Sequence, residues 1–190
     1  MSARRRESTA TLFWLVILLL VVGGLWWYWR SQPASQMADT VARPTDAQEV
    51  RVNFLQDGDS LEVTAVAAGK WIPTTDPVQV RLLGVDAPEM HGADGLAQCW
   101  AEAAKAQLLR LAPFGGRLWI AGDMQAQDVY GRYLVYAWTP EGTFVNEKLA
   151  QDGAVRELSI PPNFGYEARL HGKVAEAREA RRGLWGTCLS

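Results

Sequence analysis

The run VRLLGVDAPEM, Val80 to Met90, decides how the rest of the chain is read. Its first half is β-branched and apolar, the composition of a buried strand. Yet Arg81 sits inside it, and it ends in two carboxylates, Asp86 and Glu89, on either side of a proline. A buried guanidinium left unpaired is very costly, so Arg81 needs acidic or phosphate partners. Arg81 and Asp86 are five residues apart and would face opposite sides of a regular strand. Gly84 is the place where the strand can bend or end and let them converge.

Upstream, VRVNFL (Val50–Leu55) alternates, Asp57-Gly58 signals a hairpin turn, and SLEVTAV (Ser60–Val66) alternates again. Asp57 and Asp59 are two apart at that hairpin, so a strand aims both to one side. The strand of the opening run covers 78–85. Downstream, PEMHGADGLAQ reads as loop and Cys99–Leu111 as a helix rich in Ala and Leu. Residues 117–121 and 132–138 read as a fourth and a fifth strand. A short helix over 145–154 is closed by Gly153, and a last one over 166–182 stops at Gly183. Three strands, a helix, two strands and two helices make an α+β order. Five strands of this size suggest a small closed or partly closed barrel, of which the oligonucleotide-binding (OB) fold is the common example.

A second cluster is DVYGRYLVYAW, Asp128 to Trp138, where a loop delivers Tyr130-Gly131-Arg132 into a strand. Arg132 stands at the strand start, where a loop-borne ligand is met. Asp57, Asp59, Asp86 and Glu89 around one arginine leave an excess of negative charge, which suits a hard divalent cation with oxygen ligands such as Ca²⁺. Two arginines, an acid cluster and a further glutamate form a set for phosphodiester hydrolysis. The cations take up charge on phosphorus oxygens, and the glutamate takes a proton from attacking water.

The N-terminus is of another kind. LFWLVILLLVVGGLWWYW, Leu12 to Trp29, is 18 residues without a charge. As a helix it spans about 27 Å, near the hydrocarbon thickness of a bilayer. Arg4, Arg5 and Arg6 precede it and only Arg30 follows closely, which keeps the N-terminus in the cytoplasm and exports the rest. The expected organisation is a cytoplasmic segment 1–11, a single transmembrane anchor 12–29, a linker 30–47 and a domain 48–188, extracytoplasmic in the periplasm or outside the cell. A cleaved signal peptide is the alternative; its apolar core is normally shorter, roughly 7–15 residues, and ends near an A-x-A site, which RSQPASQMADT lacks.

Net charge is −2 for the chain, and residues 31–190 carry 15 basic and 20 acidic groups. That excludes a strong general nucleic-acid binder, which is usually basic. Phosphates would be handled by a few placed arginines. Cys99 and Cys188 are the two cysteines; they either pair in an exported domain or are two unrelated buried thiols.

DGDS, RLLGVDAPE, DVYGR, FVNEKLAQDGAV and EARRGLW occur in the order and near the spacing of the staphylococcal nuclease (thermonuclease) family, which the chain resembles over about residues 48–186. The resemblance implies a five-stranded OB barrel with three helices and a calcium-dependent nuclease acting on DNA, with RNA as a further candidate. By position it implies Asp59, Asp86 and the backbone carbonyl of Ala87 as calcium ligands, with Asp57 supporting. The family often has threonine where Ala87 stands, a change that a main-chain ligand survives. It implies Glu89 as general base, Arg81 and Arg132 as phosphate clamps and Tyr130 as a lining of the substrate cleft. Where the family often places tyrosines that pack on bases, this chain has Leu158, Ser159, Ile160 and Pro161, with Phe164 and Tyr166 a few residues later.

Taken singly, these residues have plainer readings. Asp57-Gly58-Asp59 is a hairpin turn, Arg81 a structural ion pair, and Glu89 and Arg132 surface charges; only together do they make a site. His91 and His171 read as solvated, and Trp71, Trp100, Trp119, Trp138 and Trp185 as packing. Two rival functions remain: a non-catalytic OB module binding nucleic acid or protein at the cell envelope, and a phosphodiesterase for an envelope phosphate ester. The expected partners are the nucleic-acid substrate and the membrane, with no protein partner inferred.

Overall fold

The computed structural model describes residues 14–15, 17–24, 26 and 40–188. The chain divides into a unit of Met1–Thr40 and a unit of Val41–Ser190. In the first, the described residues from Trp14 to Trp26 are helical and fall in the run expected to span a membrane. Among the described residues no helix is long and apolar enough to cross a membrane. The rest of that expected span, the segment 1–11 and most of the linker lie outside the described residues.

The second unit holds strands β1 (Gln48–Leu55), β2 (Ser60–Ala65), β3 (Val78–Leu82), β4 (Val85–Asp86), β5 (Arg117–Ala121), β6 (Tyr133–Trp138) and β7 (Arg156–Glu157). Its helices are α1 (Ala101–Leu111), α2 (Val145–Gln151), α3 (Glu167–Glu179) and the single turn α4 (Leu184–Thr187). Five strands close a barrel in the order β1-β2-β3-β6-β5. All pairs are antiparallel except β3 with β6, where Val80 lies opposite Tyr133. The five-stranded barrel with helices is the expected architecture.

Alternation makes these strands. In β2 the buried residues Leu61, Val63 and Ala65 face the core, while Glu62 and Thr64 between them are half-exposed. β6 is buried over nearly its whole length, because helices cover its outer side: Leu149, Ala150 and Val145 of α2 join the same core as Leu134 to Trp138. Ordered packing begins before β1, ahead of the expected start at 48. Val41 packs on the core and accepts a hydrogen bond from the Trp138 indole at 3.1 Å, and Arg43 lies over the Trp119 ring at 4.3 Å.

The expected third strand, 78–85, is two pieces. β3 ends at Leu82, Gly84 takes φ +77°, and β4 then leaves the barrel to pair with β7. α1 begins at Ala101 rather than at Cys99, because Trp100 is left-handed at φ 73°. α3 ends at Glu179, and Gly183, also at positive φ, separates it from α4.

Candidate active site

Arg81, near the end of β3, is 6% exposed. One guanidinium nitrogen pairs with Asp59; the other donates to Asp86 Oδ1 at 2.8 Å and to the Val85 carbonyl at 3.2 Å. A single cation thus bridges two acids 27 positions apart in the chain. Asp59 is 1% exposed. Its Oδ1 also accepts from the Ser60 hydroxyl at 2.9 Å, and its Oδ2 accepts from the Ala87 N–H. The Asp59 N–H in turn donates to Asp57 Oδ1 at 3.1 Å. Gly58 allows this turn to press inward: a Cβ there would lie 2.7 Å from that of Ala87 and 2.8 Å from that of Ala104.

Gly84 solves the geometric problem of Arg81 and Asp86. Its left-handed backbone ends the alternation, so Asp86 reaches the guanidinium that Asp59 already holds. Asn146, fully buried at the start of α2, fixes the approach. Its amide donates to the Leu83 carbonyl at 2.9 Å and accepts from the Ala137 N–H at 3.0 Å.

Arg132 is delivered by a loop tied to Asp128. That carboxylate accepts from the N–H groups of Tyr130 (2.9 Å) and Arg132 (3.0 Å) and from Arg132 Nε (2.7 Å). Gly131 at φ +81° makes the turn possible. The Tyr130 ring is 82% exposed with the Arg132 guanidinium 5.6 Å from its centroid. The Asp128 carboxyl is held below its usual range; loss of solvent pushes it up, but the Arg132 and backbone hydrogen bonds overcome this.

These groups share one electrostatic field. Glu89 is pushed up, first by lost solvent contact and then by the Asp57 charge, against the pull of Arg81 and Arg132. Asp57 is pushed up by burial against the same two arginines. Burial lowers Arg81, while Asp86 and Asp57 hold it up. Glu89, Asp57, Asp86, Arg81 and Arg132 therefore act on one another through space.

Donor chemistry and charge decide whether these residues suit a calcium ion. Asp57, Asp59 and Asp86 are hard oxygen donors, and with Glu89 they outnumber Arg81, so donor type and charge fit. The side chains stand differently from a preformed cage: both Asp59 oxygens already accept protein hydrogens. Among the described residues no group of three or more His, Cys, Asp or Glu is arranged to hold a metal.

Every expected charged site residue stands in this one region, and Ala87 lies in it by its hydrogen bond to Asp59. Cys99 and Cys188 are joined by a disulfide. The late aromatics divide. Tyr166 packs inside against Tyr136 (4.7 Å) and Phe144 (5.0 Å), whereas Phe164 is 51% exposed. Three contributors escaped sequence reasoning: Asp128, Asn146 and Gln98, whose side-chain oxygen accepts from the Glu89 N–H at 2.9 Å. Asn146, a polar residue at the apolar start of VNEKLA, was the one visible signal.

Residues 79–187 match the family described as "Staphylococcal nuclease homologue". The chain is similar to the "Thermonuclease" of Staphylococcus hyicus, 29% identical over 106 residues, and to that of Staphylococcus intermedius, 32% over 107. Each alignment covers 56% of this chain, which spans 62% of the length of either relative. It is also 31% identical over 153 residues to a Debaryomyces hansenii protein named "Probable endonuclease LCL3", covering 71% of this chain and 65% of that one. With the barrel, the bridged acids and the match over more than half its length, the chain belongs to the staphylococcal nuclease family.

Proposed function

We propose that the chain is a nuclease that hydrolyses phosphodiester bonds of DNA, with RNA as a further candidate substrate. The observation that carries this reading is the Arg81 bridge between Asp59 and Asp86, set in one electrostatic field with Glu89 and Arg132. Arg81 and Arg132 bind the non-bridging oxygens of the scissile phosphate and take up the charge that grows on them. Glu89 accepts a proton from water as the water oxygen bonds to phosphorus; the bond from phosphorus to the 5′ oxygen breaks, and that oxygen leaves as a 5′-hydroxyl after taking a proton from solvent. The family resemblance implies the resulting 3′-phosphate end. The upward shift of Glu89 brings its carboxylate closer in basicity to what such a proton transfer needs. Asp57, Asp59, Asp86 and the Ala87 carbonyl would hold a calcium ion. When bound, that ion supplies Lewis-acid charge at the phosphate.

The apolar run over 12–29, with three arginines ahead of it, supports a membrane anchor that leaves the catalytic unit outside the cytoplasm. Protease added to intact spheroplasts should then digest residues 41–190 and spare the first eleven.

The test of the activity is cleavage of DNA and RNA by the purified chain with calcium or with chelator. No cleavage under any divalent cation would return the reading to a binding module, which the closure of Asp59 on Arg81 and the acidic net charge would then favour.

A further inference from the structure

Glu89 lies beyond the end of β4, so no strand ladder holds its backbone. Its two main-chain polar groups are both spent on one residue. The Glu89 N–H donates to Gln98 Oε1 at 2.9 Å, and the Glu89 carbonyl accepts from the Gln98 N–H at 2.9 Å. This clasp closes an exposed excursion whose internal bonds, Gly92 to Leu96 and Gly95 to Gly92, are local. Gln98 is held in turn. Its carbonyl accepts from the Ala101 N–H at 3.0 Å, at the start of α1. The next residue, Cys99, is exposed and bonded to Cys188. Cys188 donates to the Leu184 carbonyl, and Leu184 to the Gly153 carbonyl, each at 2.9 Å. A covalent and hydrogen-bonded line thus runs from Glu89 to the turn after α2.

We infer that Gln98, braced by the Cys99–Cys188 disulfide, is a positioning residue that sets where the Glu89 carboxylate stands. The inference rests on the nuclease reading given above. Small displacements of a reacting group are costly, on the order of 10² in rate for an ångström, so a loop this exposed needs such a clasp if Glu89 acts on water. The brace is also open to thiol chemistry. A dithiol reaching the bond from the exposed Cys99 side gives it two electrons and two protons; the S–S bond breaks to two thiols, and the reagent closes to its own disulfide.

The test uses the full chain, a fluorogenic single-stranded oligonucleotide and amide hydrogen exchange over residues 87–98. Gln98→Met keeps the length of the side chain and loses the acceptor; Gln98→Glu keeps the acceptor. Gln98→Met should lower kcat roughly tenfold or more with KM within about twofold, and exchange faster over 89–98. Gln98→Glu should stay within about threefold of the wild-type kcat. The wild type reduced with dithiothreitol, and the Cys99→Ser/Cys188→Ser variant, should both show the lower kcat and the faster exchange. Unchanged kcat in Gln98→Met overturns the inference, as do equal losses in Gln98→Met and Gln98→Glu or unaltered exchange after reduction. A wild type that leaves the oligonucleotide intact overturns the nuclease reading and this one with it. Cleavage by the wild type beside an unimpaired Gln98→Met variant overturns this one alone.

Discussion

Arg81 is buried with two acids on one guanidinium, so each of its partners loses much if it is removed. Glu89 and Arg132 differ in being accessible from solvent, and their loss should show first in turnover. Glu89→Gln and Arg132→Ala should each slow kcat by about 10² or more; Glu89→Gln should unfold at nearly the wild-type urea concentration, and Arg132→Ala at a somewhat lower one because it breaks the Asp128 ion pair. Single-turnover kinetics beside equilibrium unfolding checks both. Asp128 carries a pH dependence of known sign. Its carboxyl is lowered in the folded chain, so its contribution is complete at neutral pH and fades as pH falls through the ordinary carboxylate range and below. Asp128→Asn should therefore be less stable than wild type at pH 7, and the gap should narrow at about pH 3. The convergence of Arg81 with acids was legible, because a charge inside an apolar run demands a partner. Gln98 was not, because it acts through the backbone groups of Glu89, and nothing in the side-chain pattern marks such a bond.

The elements were legible wherever a period of two or of 3.6 ran for five residues or more. β2 lies within a residue of expectation for that reason, and β5 and β6 do so as short apolar runs of strand length. The β4–β7 pair was not, since two-residue strands have no period and their partners lie some 70 positions apart. The break between β3 and β4 was foreseen only as a place, Gly84. A Cβ there would lie 2.3 Å from Leu170 Cδ1, at a φ of +77° that side chains avoid. Gly84→Ala should cost about 2 kcal/mol or more of unfolding free energy, through strain and overpacking together. Activity should fall with it, since Asp86 would lose its place on Arg81. Asn146→Leu leaves the Ala137 N–H and the Leu83 carbonyl without this partner. It should destabilise by about 2–4 kcal/mol in urea titrations.

For the whole molecule, charge limits how the proposed site could hold a polymer. Residues 31–190 carry five more acidic than basic groups, and the proposed reading assigns two arginines to phosphate. Affinity for single-stranded DNA, measured on Glu89→Gln, should fall with salt with a logarithmic slope of about −1.4, the value for two phosphate contacts. A slope several times steeper would mean a wider basic track than the proposed site provides. The barrel followed from the number and size of the strands, but its strand order and its closure through a parallel β3–β6 pair did not, since parallel pairing joins segments that a helix separates in the chain. Because that pairing completes the ring, none of the five strands is left as a free edge on which another chain could grow. Recruitment of a peptide by strand addition to this ring is therefore closed off, and runaway stacking of barrel on barrel loses its usual template.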